Sequence, residues 1–311
     1  MKALALALAF AAVPPALLPG APSAVLTGPG QSLLAITYSP DGGALVVTGL
    51  DRTVRAWAMP SQAPLAALDG GENPVDALAF SPDGTRLAYG DQAFWARVVT
   101  WPSLAPAGEV IHPSAVVSLA FSPKADRLAV SSPSGTGGLY AATGGKQLAE
   151  VRSRCAAFRA DGASLVTAQI SGALSVVDVK TGKVRSSFST NGHVPAVLVL
   201  ADDQTALTAS PKDAEIRVWD LKAGKALRVF RGHGQGVHSL SLSADRTLLA
   251  STGVDRTVRV WDVKSGRELW QRPVEYSAFA ALSPDGKTVA VADGAVVKLW
   301  PVTLDADAGT R

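Results

Sequence analysis

The side chains best suited to acid–base, nucleophilic or metal chemistry are few in this sequence. It has four histidines, His112, His193, His233 and His238, and one cysteine, Cys155. A zinc site needs three or four convergent ligands. His233 and His238 stand five residues apart with no cysteine or carboxylate at a metal-like spacing, and the other two histidines lie far away in sequence. Nucleophile-elbow chemistry needs Gly-x-Ser-x-Gly, which is absent. The phosphate-cradling Gly-x-x-x-x-Gly-Lys-Ser/Thr is absent too, since Gly144-Gly-Lys-Gln147 lacks both the spacing and the hydroxyl. Without Cys-x-x-Cys-His there is no covalent haem attachment. Gly135, Gly137 and Gly138 read as a loose loop joining strands, because no helix pattern follows them to present its amides to a phosphate. The adjacent carboxylates Asp202-Asp203 read as a solvated turn. Cys155 opens the apolar run Cys155-Ala-Ala-Phe158 and reads as a small buried hydrophobe. The expectation is a protein with no catalytic residues, no metal and no cofactor.

The elements that carry these residues repeat. Asp51-Arg-Thr-Val-Arg-Ala-Trp57 returns 204 residues later as Asp255-Arg-Thr-Val-Arg-Val-Trp261. If five repeats separate the copies, the period is about 41 residues. A second marker runs at the same pace. Ser39-Pro-Asp-Gly42 is followed by related tetrapeptides at 81–84, 122–125, 159–162, 201–204, 243–246 and 283–286. Each sits between two apolar runs. Proline pre-sets its φ, and Asp and Gly suit the rest of a tight turn, so each marks a hairpin between strands. A third marker, an aromatic or apolar residue ending a strand, is read at Trp57, Trp101, Tyr140, Val177, Trp219, Trp261 and Trp300. A fourth strand follows, as in Lys225-Ala-Leu-Arg-Val-Phe230. Seven units of four short, evenly spaced strands predict an all-β fold: a single seven-bladed propeller of four-stranded antiparallel blades. The last unit lacks a fourth strand after Trp300, and Ser23-Ala-Val-Leu-Thr27 precedes the first turn without a blade of its own. The N-terminal strand is therefore expected to complete the last blade and remove an exposed edge.

The repeats resemble the WD-repeat family over roughly residues 24–302. Trp219-Asp220 and Trp261-Asp262 carry the Trp-Asp dipeptide, and the unit at 231–272 is the fullest, with Gly232-His233, Ser251, Asp255 and Trp261. The resemblance implies that these last four side chains hydrogen-bond to one another inside a blade, a structural task and not a catalytic one. Other units depart from it. Pro29 stands at the His position of the first, the fourth has no His, and His112 and His193 keep part of the corner. The resemblance also implies a loop face that docks other proteins. On that face the bulky and charged candidates are Arg52, Phe94, Trp95 and Arg256, because aromatics and arginine anchor protein interfaces. The plainer reading of Trp95 is packing between blades. A small molecule or glycan at the channel mouth is the alternative ligand, although the innermost runs 33–37, 77–80, 117–121 and 196–200 are nearly all apolar or small.

Composition limits the partners. The net charge of +3 is small for 311 residues, and no Lys/Arg run supplies a nucleic-acid footprint. Arg152 and Arg154 flank Ser153 as surface residues. Lys2 is followed by 11 apolar residues, then Pro14-Pro15 and small residues around 20–23. This describes a secretory leader over residues 1–23, with Ala21 and Ser23 as the small residues before the cut, and the run is shorter than the ~20 residues that span a bilayer. An exported protein, periplasmic or extracellular, is expected, a cytoplasmic one being the alternative. The chain is read as one monomeric propeller over 24–302 with a flexible tail at 303–311.

Overall fold

The computed structural model describes residues 21–27, 30–190, 192–276 and 279–303. The leader over residues 1–20, Pro29 and the tail from residue 304 onward lie outside the described residues. After β1 (Ala24–Thr27), blade 1 is built by β2 (Leu33–Tyr38), β3 (Ala44–Gly49), β4 (Thr53–Ala58) and β5 (Pro64–Asp69). Blade 2 follows as β6 (Val75–Phe80), β7 (Arg86–Asp91), β8 (Trp95–Thr100) and β9 (Pro106–Ile111). Blade 3 is β10 (Ser118–Phe121), β11 (Arg127–Ser131), β12 (Thr136–Ala141) and β13 (Gln147–Arg152). Blade 4 is β14 (Cys155–Phe158), β15 (Ser164–Ala168), β16 (Ala173–Asp178) and β17 (Val184–Ser189). Blade 5 is β18 (Val197–Val199), β19 (Thr205–Ala209), β20 (Ile216–Asp220) and β21 (Lys225–Phe230). Blade 6 is β22 (Val237–Leu242), β23 (Leu248–Gly253), β24 (Thr257–Asp262) and β25 (Glu268–Pro273). Blade 7 is β26 (Phe279–Leu282), β27 (Thr288–Asp293) and β28 (Val296–Pro301), with β1 as its fourth strand.

All seven sheets are antiparallel and four-stranded. The ring closes as the sequence implies. Ala24 pairs with Leu299 and Thr27 with Val296, and Leu26 is buried with Trp57, Val297 and Leu299 in one cluster. The edge of blade 7 is thereby covered by the start of the chain.

The first hairpin of each blade shows why its tetrapeptide recurs. In blade 2, Ser81 donates its hydroxyl to Asp83 at 2.6 Å and accepts the Arg86 amide at 2.9 Å, while Gly84 takes a φ of +69°. The left-handed residue is Gly in four blades and Ala125, Asp203 and Arg246 in the others. The blade 5 turn sits one residue earlier than the sequence marker: the Asp203 amide bonds the Leu200 carbonyl, so the turn is 200–203. Asp203 is no free carboxylate either, for it accepts the amides of Ala160 at 2.7 Å and Asp161 at 3.0 Å and ties blade 5 to blade 4.

Two further expectations are corrected. In blade 2 the residue that pairs as Trp57 and Trp261 do is Val99, opposite Leu87; Trp101 lies two residues beyond, edge-on to Phe80 at 5.2 Å. Pairing to the second strand fixes this position, and the aromatic signal misplaced it. The glycines of blade 3 are no loose loop. Gly137 and Gly138 lie within β12, and only 132–135 make the turn, which the Ser132 hydroxyl holds through the Thr136 carbonyl at 2.7 Å.

Side chains of each blade alternate between the preceding and the following blade, as strands buried on both faces require. Arg55, Arg97, Arg217, Arg259 and Lys298 occupy one equivalent position of the third strand. Each pairs with carboxylates, among them Asp51, Asp91, Asp213, Glu268 and Asp293 respectively. Gly138 and Ser175 stand there in blades 3 and 4. Among the described residues no helix is long and apolar enough to cross a membrane.

Candidate functional site

Antiparallel order places all second-to-third-strand turns, and all links from an outer strand to the next blade, on one face of the disc; this is called the upper face. The first hairpin turns and the third-to-fourth-strand turns form the lower face. Three of the four contact candidates occupy the upper face at one equivalent position, five residues before the Trp position of the third strand. These are Arg52, Phe94 and Arg256, and all three are exposed. Their φ angles are +67°, +78° and +56°, a left-handed backbone that suits glycine. Blades 3 and 4 place Gly135 and Gly172 there, both at φ +83°.

The local chemistry explains how a phenylalanine is held in such a turn. Asp91, buried, accepts the amides of Ala93 at 2.9 Å and Trp95 at 3.0 Å and pairs with Arg97 at 3.0 Å. The turn is pinned from below, and Phe94 projects outward. Trp95 begins β8, is half-buried, and lies under the Arg97 guanidinium at 5.3 Å. It stands in the strand beside the turn and not at its tip.

The upper face carries further exposed apolar side chains that the sequence reading did not single out. Leu50 is 42% exposed, Ile170 46%, Val254 50% and Tyr276 59%, beside Phe94 at 49%. All five are in upper-face loops. None of the large exposed apolar side chains among the described residues lies in a lower-face loop; the rest are on strands. The available signal was the residue flanking the turn Asp, as in Leu50-Asp51 and Val254-Asp255, read across blades.

Beneath Arg256 lies the blade 6 corner. Trp261 donates its indole N–H to Ser251 Oγ at 2.8 Å, Ser251 bonds His233 Nε2 at 2.8 Å, and His233 Nδ1 bonds the Asp255 carboxylate at 3.0 Å. Asp255 also accepts the Gly234 amide at 2.9 Å and the Thr257 hydroxyl at 2.9 Å. With the serine oxygen accepting from Trp261, its proton goes to His233 Nε2. The imidazole is then neutral, with its Nδ1–H on Asp255. Burial holds the His233 pKa below the ordinary value, and the Asp255 charge opposes this. Burial also pushes Asp255 upward, but the Gly234 amide and the Thr257 and His233 hydrogen bonds together hold its pKa low. The order Ser–His–Asp is that of a hydrolase triad, but the Ser251 hydroxyl is already engaged on both sides, by the Trp261 indole and by His233, within the packed blade, so it is held as a structural link and not as a nucleophile.

Elsewhere the corner is dismantled. In blade 3, His112 Nδ1 meets Tyr140 Oη directly at 3.0 Å. In blade 5, Trp219 donates to Thr208 Oγ1 at 2.8 Å, but the buried His193 Nε2 has no hydrogen-bond partner, so His193 does not complete the expected partial corner. Among the described residues no three His, Cys, Asp or Glu side chains converge as a metal site would need. Cys155 is buried in the innermost strand of blade 4, and burial pushes its thiol up to about 12, so it is no thiolate.

The central channel holds about 690 Å³ and is lined by the innermost strands, with Ile36, Leu78, Leu119, Phe158 and Leu240 on its walls. Its one carboxylate is Asp76 at the upper mouth, bonded by Gln92 Nε2 at 3.0 Å, with a pKa raised by desolvation. Hydroxyl side chains such as Thr37, Ser118, Ser239 and Ser241 share the lining, but a single carboxylate with no histidine or second acid beside it does not assemble an acid–base pair.

A family model described as WD domain, G-beta repeat matches residues 20–58 and 224–262. Both matches begin ahead of an outer strand and end at the third strand of the next blade, so the sequence repeat is offset from the structural blade by one strand. For the first match that outer strand is β1, which belongs to blade 7. No curated protein matches the sequence.

Proposed function

Because this chain belongs to the WD-repeat propeller family, we propose that it is an exported, non-enzymatic scaffold that docks another protein on its upper face. WD-repeat propellers commonly mediate protein–protein interaction. One observation carries the choice of face: Leu50, Phe94, Ile170, Val254 and Tyr276 expose apolar surface there and the lower-face loops expose none of comparable size. Exposed apolar side chains gathered on one face of a rigid ring support an interaction surface there. Arg52 and Arg256 add the guanidinium groups that interfaces favour. A closed ring of seven sheets holds these loops in place before the partner arrives, so little ordering entropy is lost on docking.

Export is supported by the apolar run after Lys2 and the small residues at 20–23. Ser23 bonds the Leu299 carbonyl through both its amide at 2.7 Å and its hydroxyl at 3.0 Å. A cut after Ala21 keeps those bonds and a cut after Ser23 loses them, yet both leave β1 whole.

The test is capture of the tagged mature protein after mild crosslinking in cells. The reading expects one protein at near-equal amount, lost on Phe94→Ala with Arg52→Glu and retained on the lower-face change Lys124→Glu. Retention of the partner by the upper-face double variant overturns it. The N-terminal sequence of the secreted or periplasmic form tests export, and a chain that keeps Met1 in the cytoplasm sinks that part.

A further inference from the structure

Every seam between successive blades is filled by the same three positions. Two come from a cross-strand pair of the earlier blade and one from the third strand of the later blade. Between blades 5 and 6 these are Ile216, Phe230 and Trp261, with the two rings 5.8 Å apart. Between blades 4 and 5 they are Leu174, Phe188 and Trp219, with the rings at 5.5 Å. Between blades 3 and 4 they are Gly137, Val151 and Val177. All three positions have shrunk together, and an outward-opening groove of about 770 Å³ runs along this seam.

The groove has an unsatisfied polar group at its base. Thr167 pairs opposite Ser175 just as Ser251 pairs opposite Arg259 and Thr208 opposite Arg217. The hydroxyls of Ser251 and Thr208 each accept an indole N–H at 2.8 Å. Thr167 lines the groove, is 0% exposed, and its Oγ1 has no hydrogen-bond partner. Val177 replaces the tryptophan that would have reached it. Buried hydroxyls are almost always paired; of the three left unpaired among the described residues, Tyr38, Thr48 and Thr167, Thr167 alone lines this groove, which points to a group that enters it.

We propose that the groove between blades 3 and 4 binds an indole ring, its faces against Val151, Val177 and Ile170 and its N–H on Thr167 Oγ1, which the lining side chains uncover as the ring enters. The molecule itself shows the geometry twice, in blades 5 and 6, with the ring supplied by the chain. The rim is polar: Gln147, Glu150, Arg152 and Gln169 stand where the groove opens, and they suit the amide or charged groups that accompany a tryptophan side chain. The ring comes from a partner's exposed tryptophan or from a small indole compound; the site shares Ile170 with the upper-face surface but includes neither Phe94 nor Arg52, the residues by which capture is judged.

The experiment is calorimetric titration of the folded chain with indole, with N-methylindole, and with the peptide acetyl-Ala-Trp-Ala-amide. Indole is expected to bind one site, and N-methylindole, which cannot donate, about fivefold or more weaker. Thr167→Val, which keeps shape and removes the hydroxyl, erases that difference. Val177→Trp fills the groove from within and abolishes binding. Equal affinity of the two indoles for the unaltered protein overturns the proposal, as does undiminished indole binding by a folded Val177→Trp variant. Should Val177→Trp fail to fold, the Thr167→Val comparison decides alone. A peptide that binds tighter than free indole assigns the groove to a partner's tryptophan; free indole binding with the peptide excluded assigns it to a small molecule.

Discussion

Blades 5 and 6 meet over Ile216, Phe230 and Trp261, whereas blades 3 and 4 meet over Gly137, Val151 and Val177. The strands are the same in number, order and pairing on both sides of the ring. Hydrogen-bond ladders and closure through β1 therefore define the propeller, and the aromatic and polar corner is an addition that a blade can lose. Losing it is not neutral for the surface. Between blades 5 and 6, where the corner is complete, the seam is solid, and between blades 3 and 4, where Val177 replaces the tryptophan, a groove with an orphaned hydroxyl remains. Blade 3 is intermediate, since Tyr140 reaches His112 in one step.

Emptying the solid seam is expected to have the largest effect. Trp261→Ala removes a ring that is 1% exposed and leaves Ser251 and His233 without their anchor. A loss of roughly 3–5 kcal/mol is expected for such a truncation. Val177→Ala, at the same position in blade 4, is expected to cost about 1.5 kcal/mol, the transfer term of two methyl groups. Denaturant midpoints measured side by side check both. Equal losses would mean that the two seams bear the same load and that the difference in side-chain size is cosmetic.

Acid should open the same divide. The pKa of each of the four histidines, His112, His193, His233 and His238, is lowered chiefly by burial. Their folded values lie below the unfolded value of 6.5. On acidification the unfolded chain takes up protons first, so their contribution is intact above pH 6.5 and declines as pH falls below it. A second decline begins near the ordinary carboxylate value, about 4, as the turn carboxylates Asp41, Asp83, Asp245 and Asp285 are protonated. Each of these is held low, first of all by the hydroxyl of the serine two residues earlier. Urea midpoints between pH 8 and 5 should fall only at the lower end, and His233→Gln should flatten that fall. A midpoint that rises on acidification would contradict the neutral imidazole assigned to the blade 6 corner.

The blade count was legible because it rests on local chemistry: Ser, Asp and Gly suit the tight turn that opens each blade, and Gly fills its left-handed position in four of the seven. Closure was legible for a similar reason, since blade 7 ran out of strands just where the chain start had one to spare. Residue register was less legible. Trp101 was read as a strand marker because tryptophan is conspicuous, but pairing with Leu87 chose Val99. In blade 5 the turn slid by one residue because Asp203 holds the left-handed position that Gly marks elsewhere. The groove was invisible in sequence for a different reason. Gly137, Val151, Thr167 and Val177 meet only when two blades are set side by side, and nothing local to any one of them reports the other three. Likewise Phe94 stood out as bulky, but its equivalence to Arg52 and Arg256 needed the turn to be seen.

That equivalence yields the smallest effect and the most discriminating one. Phe94 at φ +78° and Gly135 at φ +83° occupy the same turn position in neighbouring blades. A left-handed residue with a Cβ costs about 1–2 kcal/mol, and glycine gives back roughly 0.5–1 kcal/mol of that through the freedom it has when unfolded. Phe94→Gly is therefore expected to leave stability unchanged or to raise it by up to about 1.5 kcal/mol, because the ring it removes is exposed. Gly135→Ala runs the exchange the other way. Its new Cβ would lie 3.5 Å from Ile170 Cδ1, an ordinary contact, so any loss reports backbone strain alone. Thermal midpoints of the two variants give the sign. If Phe94→Gly destabilises the ring, the side chain is part of the packing and the upper-face reading loses its central residue. If stability holds while partner capture fails, strain has been kept at that position for a reason that packing does not supply, and docking is the reason that remains.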